Sequence, residues 1–189
     1  MRLLTAAAVG LVLGLAGEGA VYPSSMCPIA LRLTTYTVSG STLPDLKKAM
    51  LQHGPSDERG RQRYAIAKWN VAWSWQRFPS GMIDPESVAV TCEGLLLLPE
   101  LDPAAHLEAR EQEEWKDYRA QLEQHERNHL KHVERVAPEI RRRIAERHAR
   151  YGSVTPDTGD AIAKTVLQEI RELDRAYDAT TEHGKSEGI

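Results

Sequence analysis

Cysteine is scarce in this chain of 189 residues: only Cys27 and Cys92 occur, far apart and without a CxxC pair. That argues against a thiolate metal framework, which is built from closely spaced cysteine pairs. An excess of basic residues is missing too. A net charge of −3 and a pI near 6.2 leave no electrostatic footprint for nucleic acid as a partner. The short run Arg141-Arg142-Arg143 sits among helix-favouring residues and reads as a solvated face. No apolar run reaches the ~20 residues of a membrane-spanning helix, and no internal repeat signals a solenoid.

The longest apolar run lies at the start. Met1-Arg2 and the stretch from Leu3 to Ala16 precede Gly17-Glu18-Gly19. This is the layout of a secretory signal peptide, with Gly14-Leu15-Ala16 before the cut. The expected organisation is a signal peptide over 1–20, cleaved near 16–20, and a single domain over 21–189. An uncleaved anchor is the minor alternative, and no cysteine follows the run closely enough for a lipid anchor. The protein is therefore expected to be exported, periplasmic or extracellular, without a stable membrane span after cleavage. In an oxidising compartment Cys27 and Cys92 are expected to pair. On the chain-entropy account such a bridge stabilises the fold by about 4 kcal/mol.

Periodicity divides the rest into a β-rich first half and a helical second half. Residues 31–38 (LRLTTYTV) read as a strand that stops at Ser39-Gly40-Ser41. Thr42 then caps a short helix with Pro44 in its first turn, ended by Gly54-Pro55. From Tyr64 to Trp75 the apolar residues alternate through Trp69, Val71, Trp73 and Trp75, a half-buried strand whose tryptophans face the core. Residues 87–98 form a second long strand, closed by Pro99. From about Ala104 to Ala149 the pattern turns helical, with Pro138 expected to end or kink the helix. A last amphipathic helix carries Ile162, Val166, Ile170, Leu173 and Tyr177. The fold class is α+β: a small antiparallel sheet packed on a helical C-terminal half.

Chemistry concentrates at His125-Glu126-Arg127-Asn128-His129, an H-E-x-x-H string. On a helix, residues four apart share one face, so both imidazoles can grip one Zn²⁺ while Glu126 serves as base toward metal-activated water. Trp115, Tyr118, Leu122, His125, His129, Val133, Val136 and Ile140 recur at three- and four-residue steps, which puts both histidines on the packed stripe. A third protein ligand is needed. His132 on the same straight helix suits a tetrahedral ion poorly, because it lies about 10 Å from His125 along the axis. It also occupies the position where metzincins place their turn glycine. Glu169, Glu172 and His183 remain open.

Other strings accompany this one: Tyr36-x-Val38-x-Gly40, Gly54-Pro55, Trp69-x-Val71-x-Trp73, Leu98-Pro99, Trp115-x-x-Tyr118 and Tyr177-Asp178-x-x-Thr181-x-His183-Gly184. Together they make the chain resemble, over nearly all of its mature length, a bacterial family of unknown function described as predicted secreted zinc-dependent proteases. The resemblance implies a zincin-like site with His183 as the third zinc ligand. Asp178 then reads as orienting a ligand imidazole, with Thr181 in the supporting shell. Tyr177 reads as an oxyanion donor or a packed ring. The expected activity is hydrolysis of a peptide or protein substrate, with the strand at 88–97 or 66–75 as a platform for it. Hydrolysis of another amide, as in cell-wall material, and a purely structural zinc are the alternatives.

Overall fold

The computed structural model describes residues 27–189; the stretch read as a signal peptide, 1–20, lies outside them. Strand β1 (Ile29–Val38) leads into helix α1 (Leu43–His53), followed by β2 (Ile66–Ser74) and β3 (Ala89–Leu101). Three helices complete the chain: α2 (Ala109–Val133), α3 (Val136–Tyr151) and α4 (Pro156–Thr180). The α+β class holds. Among the described residues no helix is long and apolar enough to cross a membrane.

The sheet has the order β1-β3-β2 and is mixed rather than antiparallel throughout. β2 runs antiparallel to β3, from Ile66 opposite Leu97 to Ser74 opposite Ala89. β1 runs parallel to β3, from Ile29 opposite Cys92 to Val38 opposite Leu101. A parallel pair requires a long crossover, and the stretch from α1 to the end of β2 supplies it. Alternation along a strand marks its buried face but says nothing about the direction of its neighbour.

Local chemistry sets the element ends. The Thr42 hydroxyl accepts the Asp45 N–H at 3.3 Å and caps α1. At Gly54 a Cβ would stand 2.2 Å from the Arg63 carbonyl oxygen, so only glycine lets the loop fold back on the helix end. β3 continues three residues past Leu98. Ala67, opposite Leu96, turns its N–H away from β3. By alternation Pro99 faces the β2 side, just beyond the last pair at Leu97, where its missing N–H has no partner to lose. Pro138 breaks the helix as expected, but upstream of itself: its ring and missing N–H exclude helical bonding to the carbonyl four residues earlier, that of Glu134. The chain turns at Glu134-Arg135, and Pro138 sits in the first turn of α3, where an N–H would go unpaired anyway.

Two buried clusters flank the sheet's inner face. One joins Val71, Val88, Val133, Ile140, Ile144 and Val166 between sheet, α3 and α4; the other joins Leu46, Met50, Leu96, Leu98, Trp115 and Leu122 under α1 and α2. The tryptophans of β2 pack inward as expected, and their indole N–H groups donate into α4: Trp69 to Asp174 at 3.2 Å and Trp73 to Asp160 at 2.8 Å. Cys27 and Cys92 form a disulfide across 65 residues of sequence, which fits an exported protein. Its reduction, or Cys92→Ser, should lower Tm by about 10 °C in a thermal melt, the equivalent of a few kcal/mol for a domain of this size.

Candidate metal centre

Helix α2 lays His125 and Glu126 on its buried face, 6% and 8% exposed, beside α4. α4 answers with its own pair four residues apart, Asp174 and Asp178. The same spacing on two packed helices makes both pairs converge. Asp178 Oδ1 lies 3.5 Å from His125 Nε2 and 3.2 Å from His129 Nε2. These three ligand atoms all lie within 4.8 Å of one another.

The outer ring nitrogens are engaged by carboxylates. His125 Nδ1 lies 2.7 Å from Glu187 Oε2, and His129 Nδ1 lies 3.3 Å from Asp174 Oδ1. Asp174 Oδ1 also holds His132 Nδ1 at 2.7 Å, while its Oδ2 takes the Trp69 indole. A carboxylate on Nδ1 keeps the proton there and leaves Nε2 as a lone-pair donor. Two imidazole nitrogens and one carboxylate oxygen, each steadied from behind, fit a divalent metal ion. His129, His132 and Asp174 form a second possible group. It would share the His129 ring with the first through its other nitrogen, which requires a doubly deprotonated imidazole. We read it as one carboxylate orienting two histidines.

Charge is finely opposed in this cluster. Burial pulls the His129 imidazole down, but hydrogen bonds to Asp174 and Asp178 outweigh it and hold the pKa at about 10. His125 is raised by the same contest, with Asp178 and Glu187 as its partners. Asp178 is held well below the usual carboxylate range, its burial outweighed by the two imidazoles. Burial pushes Glu126 up, against the pull of His129, His125 and the Ala67 N–H. One Glu126 oxygen accepts that N–H at 2.6 Å, which ties α2 to the edge of β2 that pairs with no other strand among the described residues. His125, His129, Glu126, Asp178 and the edge residues 64–67 line one cavity of about 630 Å³.

The other sequence candidates fall at different distances from this cluster. His183 lines the cavity but is half exposed, with Nδ1 3.3 Å from Asp178 Oδ2, one step out from His125 and His129. Tyr177 stacks on His125 with ring centroids 5.0 Å apart. Its hydroxyl points behind the ring, donating to Glu187 and accepting from Asn128, both at 2.8 Å. The Thr181 hydroxyl donates to the Tyr177 carbonyl at 2.9 Å and accepts the Gly184 N–H at 3.3 Å, so it shapes the turn after α4. Glu169 is occupied by Arg143, and Glu172 accepts from Gln168 on an exposed face. Sequence reasoning passed over Asp174 and Glu187. The four-residue step from Asp174 to Asp178 carried a signal; Glu187, in a short 3₁₀ turn, carried none.

No curated protein and no solved structure matches the chain. Residues 33–184 match the family model of a bacterial protein of unknown function, DUF922.

Proposed function

The chain belongs to that family of unknown function, and we propose that it is a zinc-dependent hydrolase of peptide bonds. The observation that carries the reading is the convergence of His125 Nε2, His129 Nε2, Asp178 Oδ1 and the Glu126 carboxylate on one cavity beside the edge strand β2. Two histidines plus a carboxylate suit zinc and leave a fourth position open. Zinc bound there supplies Lewis acidity, polarising a carbonyl and bringing the pKa of water down to about 7.

The chain's own residues supply the rest. Glu126 takes the proton of the attacking water and returns it to the leaving amine. One of its oxygens is held by the Ala67 N–H, which fixes the carboxylate while the other oxygen works. Burial raises its pKa, bringing it closer to the value a proton carrier needs near neutrality. Asp174 and Glu187 keep the imidazoles turned toward the cavity. β2 is an edge strand, and Ala67 and Trp69 share the parity that faces outward. The Ala67 N–H is taken by Glu126, so an extended peptide would pair with the Ala67 carbonyl and the Trp69 main chain and lie across the cavity.

The test is to load the mature protein with zinc and incubate it with a mixed peptide library, reading new termini by mass spectrometry. Cleavage that a chelator abolishes and added zinc restores is expected. A fully loaded protein that cleaves no peptide overturns the reading.

A further inference from the structure

His183 stands at the end of a costly piece of backbone. After α4 ends at Thr180, both Glu182 and His183 adopt left-handed conformations, with φ of 50° and 56°, before Gly184 at 88°. Two consecutive non-glycine residues in that region are rare and persist only where surrounding contacts hold them. Here the holding contacts are specific. The His183 N–H donates to the Asp178 carbonyl at 2.7 Å, the Ser186 N–H to the Thr181 carbonyl at 3.2 Å, and the Thr181 hydroxyl accepts from Gly184. A solvated histidine needs none of this. The turn brings the ring back over Asp178.

The two oxygens of Asp178 are divided. Oδ1 faces His125 and His129, whereas Oδ2 faces His183 Nδ1 at 3.3 Å. We propose that His183 is a positioning residue that makes Asp178 a one-oxygen metal ligand, by engaging Oδ2 with its Nδ1–H. A free carboxylate can present both oxygens to a cation and fill a coordination position. Tying up Oδ2 keeps that position open for water or a substrate carbonyl, as a catalytic site requires. The turn after α4 thus sets the coordination mode of a carboxylate one turn upstream. This rests on the metal-site reading above and assigns His183 a role beside the metal rather than on it.

Cobalt(II) replaces zinc as the probe, because its visible absorption reports coordination number. The parent should bind one cobalt per chain with the strong absorption of a four-coordinate ion. His183→Ala should still bind one cobalt, about 10–100-fold more weakly, as loss of an outer partner does. Its spectrum should weaken toward the five-coordinate form. His183→Asn, whose side-chain amide donates and whose backbone tolerates positive φ, should restore the parent spectrum. If His183→Ala loses cobalt as completely as His129→Ala does, His183 is itself a ligand and the proposal fails. An alanine variant with parental affinity and spectrum overturns it equally. A parent that binds cobalt in this way yet cleaves no peptide would sink the hydrolase reading alone.

Discussion

Glu126→Gln in the zinc-loaded protein should lower peptide hydrolysis by about 10²- to 10⁴-fold, the range for removing a positioned general base. Zinc content and melting curve should stay near those of the parent. The substitution isolates the proton-carrying role because it preserves the structural one. A glutamine oxygen still accepts the Ala67 N–H that now ends on Glu126, so α2 stays tied to β2. The amide also spares the fold a carboxylate whose burial already penalises its charge. Assays of initial rate alongside metal analysis decide the matter. If Glu126→Gln retains activity, the side chain is only a tether between helix and strand, and another group must carry the proton. Glu126→Ala is the poorer experiment, since it strands the Ala67 N–H and lowers stability and activity together.

The residues of that prediction were legible in the sequence for a physical reason. A helix repeats every 3.6 residues, so the stripe from Trp115 to Ile140 announced that His125 and His129 face inward. The disulfide followed from two lone cysteines behind an apolar run, Leu3 to Ala16, that reads as an export signal. Strand direction was not legible, because the parallel partnership of β1 and β3 is decided by a crossover some fifty residues long. The third corner of the site was only half legible. Asp178 and His183 belong to one motif, and both reach the cavity. Which one meets the imidazoles depends on the rotation of α4 against α2 and on a left-handed turn at Glu182 and His183. Neither is a local property that the sequence writes in its periodicity. Glu187 was invisible for the same reason, since it meets His125 only after the chain has reversed.

Asp178→Asn should weaken zinc binding by more than the roughly 10–100-fold typical of losing an outer-shell partner, and it should change the proton count of binding. Without metal His129 is held at about 10, so at pH 7 it carries a proton that a cation must displace. Each proton released makes affinity fall about ten-fold per pH unit on acidification. Titration calorimetry in buffers of different ionisation heat should therefore give at least one proton per zinc throughout pH 6–9. In Asp178→Asn the largest influence on His129, burial, loses one of the three carboxylates that oppose it, Asp174, Asp178 and Glu126. Its pKa drops, and the proton count should fall first at the alkaline end of that range.

The stability of the two forms must then diverge with pH. In the metal-free protein the raised His129 contributes fully below its ordinary 6.5, and that contribution is lost as pH rises through about 10. The depressed Asp178 contributes above its ordinary 3.8 and loses that only as pH falls through its lower folded value. Zinc needs the imidazoles deprotonated, so loading helps most where the metal-free site is weakening. The difference in Tm between loaded and metal-free protein should thus widen steadily from pH 6 to pH 9. A gap that is constant or narrows over that range would mean the cation does not displace protons from these histidines. The metal site would then have to be sought elsewhere in the chain.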